Sequence, residues 1–183
     1  MMLFSPPLMQ VSDTSQGTPW LFVVIFVIGC QSLSYLSGYL SGAFKPSPWI
    51  DDTAKPRTWP PWWVFPLVWI FNYSFMGSAV WQVWEMRQTA SVAVPLILFG
   101  LNLAHNLTFM FFVYKVKTRP FYVVMDTVGL ILVLLITMLF FSVSVIAGLL
   151  MLPYLGWMCY TTLIKYLWWR MEFANSRSDA PLV

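Results

Sequence analysis

The chain has 183 residues, of which 59% are hydrophobic and only 9% are charged, and its formal net charge is +3. A soluble domain normally carries about a quarter charged residues, so a globule in water could not hide this much apolar surface. The composition therefore excludes an ordinary soluble fold and predicts that lipid surrounds most of the chain. The two cysteines lie in apolar stretches without metal-type spacing, which argues against a zinc site or a disulfide framework.

Five apolar segments are long enough to cross a bilayer core, which needs about 20 residues of helix. The predicted membrane-spanning helices are residues 20–43, 63–84, 91–114, 120–142 and 145–169. The boundary between the last two rests on length, because the apolar stretch that contains them is too long for one crossing. We therefore expect an all-α membrane protein, a bundle of five transmembrane helices with almost no soluble domain.

Polar segments flank these helices. Residues 1–19 contain no Lys or Arg ahead of the first apolar stretch, so they differ from a cleaved signal peptide and are predicted to be a polar leader. Residues 171–183 are predicted to form a flexible tail. Residues 44–62 form the long connection between helices, and their five prolines exclude a continuous helix. Long loops of this kind are often functional.

The basic residues indicate the orientation of the bundle, because cytoplasmic loops of membrane proteins carry an excess of Lys and Arg. With five helices, the 44–62 loop, the 115–119 loop and the C-terminus lie on one side. That side carries nine of the ten basic residues if Lys165 extends toward it, and the other side carries Arg87 alone. We therefore expect the N-terminus outside and the C-terminus in the cytoplasm.

Small residues recur four apart in the first predicted helix, at Ser34, Gly38 and Gly42. A face of this kind lets another helix backbone approach closely. The neighbour is either another helix of the same chain or a second copy in a homodimer. We favour packing within the chain.

Asp126 is the only acidic residue inside a predicted helix. An intramembrane carboxylate is costly and marks either a functional group or a structural pair. The nearby basic loop favours structural pairing, with Lys115, Lys117 or Arg119 as the expected partner. Lys165, close to the end of its helix, is expected to extend toward the membrane surface.

His105 is the only histidine, and Asn102 and Asn106 lie beside it in the third predicted helix. A lone histidine can ligate a haem iron axially, and it can equally form a hydrogen bond across helices. Of these two roles, the hydrogen bond across helices is the favoured one. We expect no bound metal other than one carried by such a ligand.

Six of the eleven tryptophans fall into two groups. Those at helix ends are predicted to be interfacial anchors, as in the aromatic belts of membrane proteins. The anchors are Trp20, Trp84, Trp168 and Trp169. Trp69 and Trp157 lie well inside their helices, where indoles either pack between helices or line a cavity for a flat apolar ligand.

No motif of a conventional hydrolase, phosphotransferase or metalloenzyme occurs in the sequence. The chain of carboxylates that a proton-coupled transporter needs is missing as well, which makes active transport the less favoured function. Leu163, Tyr166 and Arg170 match a pattern proposed for sterol binding. The pattern is weak, and an interfacial anchor explains the same residues.

Around the long loop the residues form a recognisable series. It begins with Trp49-Ile-Asp51 and continues with Lys55-Pro56-x-x-Trp59-Pro60-Pro61-x-Trp63 and Pro66-x-x-Trp69. The later members are Asn102, Asn106, Asp126 and the segment Leu152-Pro153-Tyr154-Leu155-x-Trp157. Over residues 20–170 this series resembles the TspO/MBR family. That family includes the tryptophan-rich sensory proteins of bacteria and the translocator proteins of mitochondria, also called peripheral-type benzodiazepine receptors.

The resemblance implies a five-helix bundle, often a homodimer, with a pocket between the helices that the 44–62 loop closes. It implies binding of tetrapyrroles such as protoporphyrin IX and haem, and of sterols or synthetic isoquinoline and benzodiazepine ligands, without a required cofactor. By position, the expected ligand-binding residues are Trp49, Trp59, Trp63, Trp69, Asn102, Asn106, Tyr154 and Trp157. In some bacterial members, light-dependent porphyrin breakdown is attributed to two pocket tryptophans, at positions that match Trp69 and Trp157.

Two departures from the family pattern bear on function. Trp59 adjoins the first proline of the Pro60-Pro61 pair instead of standing one residue earlier, which affects the geometry expected of the loop. The leader and tail are longer than in compact members, which favours contact with a partner protein. Three functional classes therefore stand: a porphyrin-binding protein, a photo-oxidative enzyme, and a structural or regulatory subunit of a larger membrane complex. A bacterial inner membrane and an organellar, mitochondrial membrane both fit the charge pattern.

Overall fold

The computed structural model describes residues 19–42, 45 and 54–178, and it describes side chains for residues 20–42, 45 and 54–174. Trp49, one of the expected ligand-binding residues, lies outside the described residues. Most of the predicted leader and the end of the predicted tail do so as well.

Five α-helices dominate the described chain. They are α1 (Pro19–Ser41), α2 (Val64–Glu85), α3 (Ala93–Val116), α4 (Arg119–Val143) and α5 (Val145–Ser178), with a short 3₁₀ helix, Met86–Gln88, after α2. All five α-helices are long and apolar enough to cross a membrane, and the described residues contain no strand. The predicted fold class, an all-α membrane protein with five transmembrane helices, is confirmed.

Local chemistry explains where the helices meet. α3 is followed by Lys117 in a left-handed conformation, with a φ of 53°, a geometry that commonly ends helices. Pro120 lies in the first turn of α4, where its missing N–H costs little. Ser144 is extended between α4 and α5, and its hydroxyl accepts a hydrogen bond from the Ala147 amide at 3.4 Å. The long apolar stretch that contains α4 and α5 is thus divided by a single non-helical residue, Ser144.

The last helix differs from its predicted length. We expected it to end at residue 169, and it continues to Ser178, into the segment predicted to be flexible. Residues 170–174 include Arg, Met, Glu and Ala, which are good helix formers despite their mixed polarity. Glu172 also forms an ion pair with Arg119 at the start of α4, which ties this extension to the bundle.

The helices form a closed ring. α1 packs against α2 and α3, α2 packs against α5, and α4 packs between α5 and α3. The interior is filled by apolar and aromatic side chains, among them Met76, Phe99, Ile136, Phe140 and Met151. Many large apolar side chains remain exposed on the outside, as expected of helices surrounded by lipid. The ring leaves a space inside that all five helices can reach.

The small-residue face of α1 points into this ring. The Ser34 hydroxyl shares a hydrogen bond of 2.9 Å with the Tyr73 hydroxyl of α2, and Gly38 is buried. The favoured role, packing within the chain, agrees with these contacts. On the opposite side of α1, Ile25 and Tyr39 are exposed.

Candidate functional site

A cavity of about 130 Å³ lies between the helices, and each of the five contributes to its wall. Gln31 and Ser34 come from α1, Trp69 from α2, His105 from α3 and Trp157 from α5. Pockets for drug-sized ligands occupy about 300–1,000 Å³, so this conformation holds a small aromatic molecule at most. A larger planar ligand would require wall side chains to move apart.

Trp69 and Trp157, the two indoles placed at mid-depth by the sequence, both line this cavity. The ring of Trp69 lies 5.3 Å from that of Tyr73 and 6.0 Å from that of Tyr154, measured between centroids. The ring of Trp157 lies 5.8 Å from Phe65. Both indoles are half-buried, so each is packed on one side and borders the cavity on another. Their contact with a ligand stays a prediction.

The expected polar residues form a hydrogen-bonded group beside Trp69. The Asn106 amide donates to the Tyr154 hydroxyl at 2.7 Å, and the Asn102 amide donates to the same oxygen at 3.3 Å. Asn106 lies in the cavity wall, whereas Asn102 and Tyr154 are fully buried and sit behind it. Asn102 and Tyr154 therefore support the cavity wall from behind. Of these three residues, Asn106 is the one placed to touch a ligand directly.

The described part of the long loop rests against α5. Trp59 packs edge-on against Trp168 with centroids 5.2 Å apart, and the Tyr160 hydroxyl donates to the carbonyl oxygen of Thr58 at 2.6 Å. Trp63, at the start of α2, is 53% exposed. The structure places Trp59 and Trp63 outside the cavity wall, so neither contacts the cavity in this conformation.

Asp126 does form a structural pair, but with a partner that we did not expect. Its carboxylate forms a buried ion pair with the Lys165 ammonium of α5, in place of Lys115, Lys117 or Arg119. The Thr161 and Thr162 hydroxyls, also on α5, donate to its second oxygen at 3.0 and 2.9 Å. The expectation that Lys165 extends to the membrane surface was therefore wrong.

Aromatic faces surround the Lys165 ammonium. Its nitrogen lies 4.8 Å from the ring centroid of Phe109 and 4.5 Å from that of Tyr122. A buried charge needs a partner and further bonding to offset its desolvation, and Asp126 with these two rings provides both. The sequence carried a signal for this cluster, because residues 161, 162 and 165 share one helix face. That face became meaningful only once α5 was oriented against α4.

Trp168 is a second residue that the sequence analysis assigned wrongly. We expected an interfacial anchor, and it is almost fully buried, at 1% exposure. The Arg119 guanidinium lies 4.6 Å from its ring centroid, and Tyr122 packs edge-on against it at 6.3 Å. Trp168 thus joins the loop, α4 and α5 beside the cavity.

His105 lies in the cavity wall and faces α4. A Cβ atom added at Gly129 would lie only 3.0 Å from the imidazole Nε2, so the glycine permits this close approach. Nε2 has no hydrogen-bond partner among the described residues. No group of three or more metal-ligating side chains occurs in the described part of the chain. Haem ligation by His105, the less favoured of its two roles, is not tested by these contacts.

The residues of the sterol pattern share the outer face of α5. Leu163 is 55% exposed and Tyr166 is 40% exposed, and Arg170 is exposed as well. Tyr166 packs edge-on against Trp169, with centroids 6.0 Å apart. Any sterol that these residues contact would lie in the surrounding lipid and not in the cavity.

The fold and the site define the class: an all-α membrane protein whose five helices form a ring around an aromatic cavity. The chain matches the model of the TspO/MBR family over residues 22–170, and it therefore belongs to this family.

Bacterial and mammalian relatives support this assignment. The chain is 31% identical to the tryptophan-rich protein TspO of Chlorobaculum tepidum, over 75% of this chain and 89% of that protein. It is 30% identical to the tryptophan-rich sensory protein of Cereibacter sphaeroides, over 88% of this chain and 98% of that protein. It is 32% identical to the translocator protein of Homo sapiens, over 67% of this chain and 73% of that protein.

Proposed function

We propose that the protein binds tetrapyrroles such as protoporphyrin IX or haem in the cavity between its helices, and that it acts in porphyrin handling, stress response or regulation. The observation that carries this proposal is the convergence of Trp69 and Trp157 on one cavity in a member of the TspO/MBR family. Indole faces bind flat apolar molecules by stacking and edge contacts. Asn106 adds a polar group that can orient such a ligand.

Binding of a macrocycle requires the cavity to open. The 130 Å³ space is smaller than the pockets that hold drug-sized ligands, so the wall must widen by movement of Trp69, Trp157 or their neighbours. The contacts of Trp59 with Trp168 and of Tyr160 with Thr58 tie the loop to α5 next to Trp157. We propose that the loop acts as a lid and that these contacts separate when a ligand enters.

A fluorescence titration tests the proposal. Purified protein in nanodiscs is titrated with protoporphyrin IX, and binding is followed by quenching of tryptophan emission. We expect the double variant Trp69→Phe with Trp157→Phe to bind more weakly, by about tenfold at most, because each phenyl ring offers less area for stacking than the indole it replaces and a whole aromatic contact contributes about 0.5–1.5 kcal/mol beyond its burial. Trp62→Phe, a change at an 82% exposed position, is the matched control. Unchanged affinity in the double variant would place the site elsewhere.

The arrangement of oxidisable rings favours a second function, light-dependent porphyrin breakdown. Trp69 contacts Tyr73 and Tyr154, and Trp157 contacts Tyr160 at 5.5 Å, so each cavity indole has a tyrosine beside it. A photoexcited porphyrin would take an electron from the indole and pass it to oxygen. The superoxide formed would then oxidise the macrocycle, and the neighbouring tyrosine would return an electron to the indole. The test is loss of the Soret band under illumination, with and without oxygen. An equal rate for free porphyrin in detergent would contradict catalysis.

The remaining proposals concern partners and location. We propose sterol contact at Leu163, Tyr166 and Arg170 on the lipid-facing side of α5, and a homodimer in the membrane. With Lys165 inside the bundle, eight basic residues still face one, so we retain a cytoplasmic C-terminus in a bacterial inner or mitochondrial membrane. Membership of a larger complex is the third class, and a mild-detergent pull-down that recovers only self-association would contradict it.

A further inference from the structure

A second cavity opens on the outer surface of the bundle, between α1 and α2. Its volume is about 390 Å³, larger than the 130 Å³ space between the five helices. The residues that line it are Trp20, Val23 and Val24 of α1 and Ser78, Trp81 and Gln82 of α2. We call this cavity the α1–α2 groove. None of its six lining residues borders the space inside the ring, so the groove is a separate site.

The groove lies at the end of the bundle opposite the 44–62 loop. α1 begins at Pro19 and α2 ends at Glu85, so Trp20 lies in the first turn of α1 and Gln82 lies in the last turn of α2. With a rise of about 1.5 Å per residue, Gln82 is about 4.5 Å along the axis from the end of α2. Helix ends of membrane spans lie at the boundary between the hydrocarbon core and the polar layer of a bilayer. The groove therefore lies at the depth of the glycerol ester groups of lipids.

The polar lining of the groove supplies N–H donors. The side-chain amide of Gln82 and the indole N–H groups of Trp20 and Trp81 form no hydrogen bond with any described residue. The Ser78 hydroxyl already donates to the Ser74 carbonyl oxygen at 2.9 Å. A polar group that faces lipid without a partner is costly. The groove thus favours an occupant that brings hydrogen-bond acceptors.

The six lining residues carry no charge. The nearest charged groups along α2 and its end, Glu85 and Arg87, form an ion pair of 3.7 Å with each other. The Arg87 guanidinium also lies 4.9 Å from the ring centroid of Trp84 and donates to the Trp84 carbonyl oxygen at 3.0 Å. Arg87 is therefore already engaged, and the lining does not distinguish one head-group charge from another.

The apolar part of the groove has a fixed shape. Trp81 is half-buried, and its ring packs against Phe22 with centroids 5.2 Å apart, which holds one wall in place. Val23 and Val24 form the floor, and Val24 is 45% exposed. β-Branched side chains such as valine are stiff, so the floor does not collapse into the space. An extended hydrocarbon chain fits along this floor.

We propose that the α1–α2 groove binds a glycerolipid of the surrounding leaflet, with one acyl chain along the valines and an ester carbonyl that accepts a hydrogen bond from Gln82. An ester group accepts hydrogen bonds and cannot donate them, which complements a lining rich in donors. The acyl chain gains little over bulk lipid, because lipid tails are as apolar as the groove. Selectivity therefore comes from the ester group and not from the head group. This inference does not depend on the proposed function, because the groove is separate from the cavity.

The experiment compares two phosphatidylcholines of equal chain length, a diester and a dialkyl ether. The ether lipid keeps the head group and the chains but lacks the carbonyl oxygens. The full-length protein is reconstituted in bilayers that contain equal amounts of both lipids, and the lipids that stay bound are counted by native mass spectrometry. We expect the bound diester to exceed the bound ether by about fivefold, the factor that corresponds to one net hydrogen bond.

Two variants assign this preference to the groove. Gln82→Leu keeps an apolar side chain of similar size and removes the amide, so the ratio of bound diester to ether should fall to that of the bilayer. Thr108→Val, which removes an exposed hydroxyl from the membrane-spanning part of α3, is the matched control and should keep the wild-type ratio. Replacing the diester phosphatidylcholine by a diester phosphatidylglycerol should leave the preference over the ether unchanged, because the lining carries no charge.

A second measurement locates the lipid without any substitution. A diester lipid that carries a photoreactive diazirine beside one ester group is added to the wild-type protein in bilayers and illuminated. We expect the label in residues 20–24 and 78–82, which form the groove. An ether lipid with the same diazirine should label these residues about fivefold less.

Several results would overturn the inference. Equal retention of diester and ether, a preference that survives in Gln82→Leu, or labelling confined to other helices would each do so. Disulfide formation between two Gln82→Cys chains in a bilayer, absent from the wild-type protein, would show that a second copy covers the groove, and displacement of the diester by an equal amount of cholesterol would show that a sterol occupies it. Gln82→Leu should bind protoporphyrin IX as the wild-type protein does, so failure of either proposal leaves the other standing.

Discussion

Two polar clusters join α5 to its neighbours, and they are built in opposite ways. Tyr154 is bonded to Asn102 and Asn106 of α3, and all three groups are neutral. About three turns along α5, Lys165 pairs with Asp126 of α4, and both are charged residues. The neutral cluster supports the aromatic side of the cavity, and the charged cluster forms its polar side.

The difference shows that, inside a bilayer, the free-energy cost of losing a hydrogen-bond partner is larger for a charged group than for a neutral one. A neutral amide or hydroxyl that loses one partner forfeits part of its hydrogen bonding. A buried ion that loses its partner keeps its full desolvation penalty with nothing to offset it. The charged cluster therefore has to be complete, with Thr161 and Thr162 bonded to the carboxylate, whereas the neutral one tolerates long bonds such as the 3.3 Å contact of Asn102.

Breaking the charged cluster should have the largest effect on stability. Lys165→Met removes the cation and leaves Asp126 buried without its charge partner. We expect the free energy of unfolding to fall by about 3–5 kcal/mol, which is the cost of breaking one side of a buried pair. Denaturant or thermal unfolding in detergent, followed by circular dichroism, measures this change.

The matched control is the double variant Asp126→Asn with Lys165→Met. It removes both charges and keeps an acceptor for Thr161 and Thr162, so most of the lost stability should return. If the single and double variants were equally unstable, the pair would matter for packing and not for charge balance.

Lys165 shows most clearly what could not be predicted from the sequence. The five helices could be predicted because an apolar segment must match the thickness of the bilayer. The direction of Lys165 could not, because α5 is apolar on most sides and its pattern does not reveal which face points inward. We also placed Lys165 near the end of a helix that in fact continues to Ser178, so its distance from the end of the helix was underestimated.

The candidate site likewise contains residues that the sequence predicted and contacts that it did not. Trp69 and Trp157 were placed by the resemblance and by their depth in the helices, and both line the cavity. The packing of Trp59 against Trp168 joins residues far apart in the sequence, and no local pattern reveals such a contact. The resemblance and the depth in the helices therefore identified Trp69 and Trp157 in the cavity wall, and the contacts between residues far apart in the sequence required the structure.

Breaking the neutral cluster should cost less. Tyr154→Phe removes the hydroxyl that Asn102 and Asn106 share and keeps the ring against Trp69. Hydrogen bonds between membrane helices contribute about 0.6 kcal/mol on average and at most about 1.7, so we expect a loss in that range. The same unfolding assay measures it, and a loss as large as that of Lys165→Met would show that the two clusters do not differ in kind.

The smallest effect is expected where a charge pair reaches the surface. Arg119 is 7% exposed and packs on Trp168, whereas its partner Glu172 is 51% exposed. Glu172→Gln should therefore lower stability by at most about 1 kcal/mol, and added salt should reduce the difference because exposed charges are screened.

The effect on the extension should exceed the effect on global stability, because the ion pair of Glu172 with Arg119 connects the polar extension of α5 to α4. Hydrogen exchange of the amides in residues 171–178 should become faster in Glu172→Gln while the transmembrane part of α5 is unchanged. Exchange that stays slow in the extension would mean that this ion pair does not hold it in place. The ion pair would then contribute to neither the fold nor the length of the helix, and charge would matter only where the bilayer excludes water.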